Sequence, residues 1–150
     1  MRLAKKLDSL TFWLDRQEKG QKMSNKSKGT EFEKFFGGIL AHNRFWAHVL
    51  ADNRNGQPFD VIATKDNTPY AFDCKECESD RFQLSRMEPN QIGAMNRWTE
   101  TGNSNAYFVI KFCATYNIYV VPFQNLNAKR LAGVSSITES AIKELSIAWF

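Results

Sequence analysis

The sequence predicts a single α/β domain built on a small mixed β-sheet, and three observations carry that expectation. Strand-like runs rich in aromatic and β-branched residues alternate with helical stripes in the order helix, strands, helix, strands. The length, 150 residues, is that of one typical domain. The composition, 43 % hydrophobic and 24 % charged, is that of a globular chain able to bury a core.

In residues 1–19, Leu3, Leu7, Leu10 and Leu14 recur at spacings of three and four, the stripe of an amphipathic helix expected to pack on the domain or on a partner. The polar stretch GQKMSNKSKG follows, with Lys22, Lys26 and Lys28, so residues 1–22 are expected as a helical extension and 23–28 as a basic linker. From Gly29, GTEFEKFFGGILAH predicts a helix with Thr30 as cap and Phe32, Phe35, Phe36, Ile39 and Leu40 as its buried face; the Gly37-Gly38 pair marks close packing.

A short strand is expected near Phe45 to Leu50, then PFDVIATK and PYAFDCKEC as a hairpin turning at Asp66-Asn67. Residues 78–87 read as a charged loop. MEPNQIGAMNRWTETG reads as a helix, with Pro89 in its first turn and Gly102 past its end. AYFVIKFC and NIYVVPF form a second hairpin, and a short helix spans Thr138 to Ser146.

Three cysteines argue against a disulfide framework and for a reducing, cytoplasmic setting. No apolar run approaches the roughly 18 residues of a membrane helix, and Asp8 and Asp15 interrupt any leader, so no membrane association is expected. The net charge of +4 favours a polyanionic partner without requiring one. No Walker loop, dinucleotide fingerprint or zinc-finger spacing is present, which leaves ATP-driven and base-reading functions without support. His42 and His48 are isolated, and the C-x-x-C of Cys74 and Cys77 turns its two thiols to opposite faces of a strand.

The hairpin carries the chemistry. A turn centred on Asp66-Asn67 opposes Lys65 to Thr68 and, five pairs further, Asp60 to Asp73, with Lys75 on the same face as Asp73. Two opposed carboxylates repel unless a positive group lies between them. A divalent cation such as Mg²⁺ is one answer; an ordinary surface ion pair of Asp73 with Lys75, Asp60 merely ending a strand, is the other. Lys26, Lys28, Arg81, Arg86, Arg97 and Lys111 flank this place as candidate phosphate contacts.

Asp60 followed thirteen positions on by Asp73-Cys74-Lys75, with Pro58 two before, resembles the PD-(D/E)XK nuclease motif. Gly29-Thr30-Glu31-Phe32-Glu33 resembles the G-x-x-[LF]-E helix start of Holliday-junction resolvases in that superfamily. Asn90-Gln91 at a helix start, followed by AYFVIKF, is similar to the His-Gln helix and following strand of the RecU type; the likeness spans roughly residues 25–125. It implies a restriction-endonuclease-like core over residues 29–150, with metal held by Asp60, Asp73, the Cys74 main-chain carbonyl and Glu33, directly or through water. It further implies Lys75 as the motif lysine, Gln91 as support for the site, Mg²⁺ as cofactor with Mn²⁺ able to substitute, and a homodimer cutting four-way DNA junctions in recombination. The N-terminal helix is then a place for a recombination protein partner to dock. Two departures stand out: Asn90 replaces the usual His, and the segment between Glu33 and Asp60 is short for the projecting stalk of RecU proteins.

Overall fold

The computed structural model describes residues 25–51 and 56–148, of which 25–28 by their backbone. The helix expected within residues 1–22 lies outside the described residues. Helix α1 runs Asn25–His42 and so begins inside the segment expected as a linker. Nothing in Asn25 to Lys28 opposes a helix, and Gly29 costs one only about 1 kcal/mol. Thr30 is therefore interior to α1 and not its cap, and Glu31 and Glu33 lie beyond its first turn.

A five-stranded sheet carries the domain. Strands β1 (Trp46–Val49), β2 (Val61–Lys65) and β3 (Thr68–Cys77) run antiparallel in succession. Two further elements follow β3, strand β4 (Arg81–Gln83) and helix α2 (Pro89–Glu100). Strand β5 (Ala106–Phe112) returns parallel to β3, and β6 (Ile118–Pro122) pairs antiparallel with β5, giving the order β1-β2-β3-β5-β6. The parallel step needs a crossover, which α2 supplies. Helix α3 (Phe123–Leu131), strand β7 (Ser136–Thr138) and helix α4 (Glu139–Leu145) complete the described chain, with β4 and β7 paired as a small second sheet. The stretch expected as a loop at 78–87 thus holds β4 and a 3-10 turn at Leu84–Arg86, because Phe82 and Leu84 are buried against distant elements.

Side-chain alternation divides the core between the two faces of the sheet. On one face Phe32, Phe36 and Leu40 of α1 meet Val61, Ala63, Phe72 and Val109; on the other Ala71, Phe108 and Ile110 meet Met95 of α2, Leu126 of α3 and Ile142 of α4. Gly37 lets α1 approach the sheet, since a Cβ there would lie 2.9 Å from Val49 Cγ2. Among the described residues no helix is long and apolar enough to cross a membrane.

Candidate functional site

The β2–β3 hairpin has the register expected from its turn: Lys65 pairs with Thr68 and Val61 with Phe72. Asp66 and Asn67 both take positive φ, 50° and 62°, which a two-residue turn matched to strand twist requires. Strand β3 is twice as long as β2, so from Asp73 to Cys77 it has β5 on one side and no β2 partner on the other. Along this stretch a cleft of about 500 Å³ opens, lined in part by Cys74, Lys75, Arg81, Arg86, Phe32 and Gly29.

Asp60 sits at the mouth of that uncovered stretch, just outside β2. Its N–H donates to Phe72 O at 3.0 Å, and its carbonyl accepts from Leu50 N at 2.8 Å. The pairing has slipped by one residue there, so Asp60 is not squarely opposed to Asp73, as the turn arithmetic implies. Its carboxylate instead reaches across to β3, where Oδ2 accepts from the Cys74 N–H at 2.7 Å. Gln57 Nε2 donates to the other oxygen, Oδ1, at 3.2 Å. Both oxygens of Asp60 are thereby oriented.

Asp73 is in the opposite condition. It is 2 % exposed, on the face turned toward α2. Burial, reinforced by the charge of Asp60, pushes its carboxyl up to about 7, against the opposing pull of Lys75. Lys75 Nζ lies 3.3 Å from Asp73 Oδ1, at ion-pair distance but off hydrogen-bond alignment, so Oδ1 is buried without a hydrogen bond. Lys75 therefore pairs with its neighbouring carboxylate in this structure.

The structure gathers some of the other predicted residues and leaves others apart. Glu33 comes from α1, the helix packed on the face of the sheet opposite the Asp73 side chain, and its charge is felt at the Cys74 thiol, which burial, Asp60, Asp73 and Glu33 together push well above the ordinary range. Among the described residues no group of three or more His, Cys, Asp and Glu is placed to hold a metal, so Glu33 is not drawn into one ligand cluster with the aspartates. Gln91 serves α2: its Oε1 accepts from Glu88 N at 3.1 Å in a reciprocal cap, and it makes no hydrogen bond to Asp60, Asp73 or Lys75 among the described residues.

Lys111, expected among the DNA contacts, is instead 2 % exposed with Nζ 2.8 Å from Glu76 Oε1, because its position on β5 turns it under α1 against Phe32. Arg81 and Arg86 do line the cleft, held by Ser136 and by the Glu76 carbonyl respectively. The side chains of Lys26 and Lys28 lie outside the description. Gln57 was missed in the sequence, where a lone Gln in a loop carries no signal; its role appears only once Asp60 Oδ1 is beside it.

The donor set suits a hard divalent cation. Mg²⁺ is typically held by one or two carboxylates and keeps several waters. Two neighbouring carboxylates, one of them buried with an oxygen that lacks an aligned hydrogen bond, match that demand without a third.

Residues 48–149 match the family model RecU, Recombination protein U. No curated protein matches the chain. Among solved structures, the chain is similar to Hjc of Archaeoglobus fulgidus, a Holliday junction resolvase from an archaeal hyperthermophile. The TM-score is 0.58 at 22 % identity, covering 81 % of this chain and 91 % of that one. The two share a fold, which for this chain is a mixed sheet of five strands between helices.

Proposed function

This chain belongs to the RecU family, and from that premise we propose that it is an endodeoxyribonuclease that cleaves four-way DNA junctions with a divalent cation as cofactor. The observation that carries this reading is the pairing of Asp60, oriented by two hydrogen bonds, with the buried Asp73 beside Lys75 at the uncovered edge of β3. The likeness of the fold to a Holliday junction resolvase supports it.

Asp60, Asp73 and the main-chain carbonyl of Cys74 would hold the cation, Mg²⁺ or Mn²⁺, and Glu33 would reach it through water. When bound, the cation supplies positive charge against the phosphate and makes water a better nucleophile at neutral pH. Asp73 must surrender its proton to serve. Lys75, 11 % exposed at its side chain and bordering the cleft, then exchanges part of its pairing with Asp73 for the charge that grows on the attacked phosphate. Arg81 and Arg86 contact flanking phosphates along the same cleft. Cutting two strands symmetrically calls for two such sites, hence a homodimer acting in the cytoplasm.

One observation favours a second reading. Between the end of α1 and Asp60 the chain has seventeen residues, β1 among them, few for a projecting stalk that grips a junction. A nuclease of flaps, forks or duplex ends would manage without one. Four-way junction, flap and linear duplex DNA, each incubated with the protein with and without Mg²⁺, separate the readings. Preferential, Mg²⁺-dependent cutting of the junction is expected. Equal cutting of all three would remove the junction from the proposal, and binding without cutting would make the protein a non-cleaving recombination factor.

A further inference from the structure

Gln57 is tied to the acidic pair by one end of its amide. Nε2 donates to Asp60 Oδ1, whereas Oε1 is buried with no hydrogen-bond donor among the described residues. Asp60 dictates this orientation: turned over, the amide would set two acceptor oxygens against each other and leave its NH₂ group buried and unpaired. The preceding residue, Gly56, has φ 69° and packs beside α2, where a Cβ would lie 3.6 Å from Asn90 Nδ2. Only a residue tolerant of positive φ turns the chain so tightly there, and the turn delivers Gln57 to Asp60.

An acceptor buried without a donor is costly, and such groups are usually answered by a water or a ligand. Asp73 Oδ1, beside the same carboxylate, is a second buried oxygen without an aligned hydrogen bond, its near donor being the Lys75 ammonium at 3.3 Å. What satisfies acceptors of this kind is a species that offers donors, and the waters that accompany a hard cation present their O–H groups outward. We infer that Gln57 is a positioning residue of the site: its Nε2 holds Asp60 in place, and its Oε1 accepts a hydrogen bond from a water brought into the acidic pocket with the divalent cation. The inference rests on the proposed nuclease reading and adds a residue to it.

The test uses the full chain, with Mn²⁺ binding followed by calorimetry without DNA, alongside junction cleavage and thermal unfolding. Gln57→Leu is expected to unfold cooperatively like the parent, to bind Mn²⁺ about tenfold more weakly, and to regain much of its lost cleavage when Mn²⁺ is raised. If Gln57→Leu does not fold, Gln57→Asn, which withdraws the amide by one methylene, is expected to show the same weakening. A folded variant that binds Mn²⁺ as the parent does overturns the role of Gln57 and leaves the nuclease reading standing. A parent protein that neither binds Mn²⁺ nor cuts DNA overturns both.

Discussion

The backbone N–H of Cys74 donates to Asp60 Oδ2 at 2.7 Å, so a carboxylate from outside β2 is fastened to the strand that carries Asp73 and Lys75. The strand's own amide thus aligns one acid of the pair. The other, Asp73, has its pKa raised by burial and by the charge of Asp60, against the pull of Lys75.

Asp73→Asn keeps the shape of the side chain and removes its charge. Junction cleavage in Mg²⁺ should fall by more than about 100-fold, while affinity for the junction measured in Ca²⁺ should change by less than about threefold, since the proposed reading assigns the phosphate contacts to other residues. Gel-shift and cleavage assays on the same preparation check both, and full activity in the variant would show that the site lies elsewhere.

The pKa of Asp73 makes the cation-free protein sensitive to pH in a defined direction. A carboxyl raised to about 7 binds its proton more tightly folded than unfolded, so its contribution to stability is complete below the ordinary value of 3.8 and is lost as pH rises through about 7. With chelator present, Asp73→Asn should therefore be more stable than the parent at about pH 8, by at most about 4 kcal/mol, and the difference should vanish near about pH 4. Denaturant midpoints of both proteins at the two pH values measure it.

The Lys111–Glu76 pair is structural. Lys111→Met leaves a largely buried carboxylate without its partner and should cost about 3 kcal/mol, most of it recovered when Glu76→Leu is added. The salt dependence of DNA binding should be unchanged in the double variant; a slope lower by about one unit would mean that Lys111 neutralises a phosphate after all.

Adjacent glycines in α1 should respond in opposite senses. Gly38→Ala meets nothing within 4 Å and should stabilise by about 1 kcal/mol through helix propensity. Gly37→Ala drives a methyl to 2.9 Å from Val49 Cγ2 and should destabilise by about 1 kcal/mol or more, the clash outweighing the same gain. Paired thermal melts decide the signs.

Much of the fold was legible because local chemistry specifies it. Asp66-Asn67 dictated the turn and, through it, the register from Lys65 to Val61, and Pro89 marked the start of α2. Helix α3 was not legible: FQNLNAKRL follows Pro122 without a break and buries just Phe123 and Leu126, too sparse a pattern to stand out beside a strand. Strand β4 was hidden similarly, since its partner β7 is more than fifty residues away.

At the site the division is sharper. Periodicity and turn geometry alone bring Asp60, Asp73 and Lys75 to one end of one hairpin, because these depend on residues close in sequence. The one-residue slip at Asp60, the burial of Asp73, the approach of the Glu33 charge to Cys74 and the withdrawal of Lys111 from solvent came from packing. Solvent exclusion and charge proximity are set by what α1, α2 and β5 lay against β3, and no local pattern encodes which neighbours those will be.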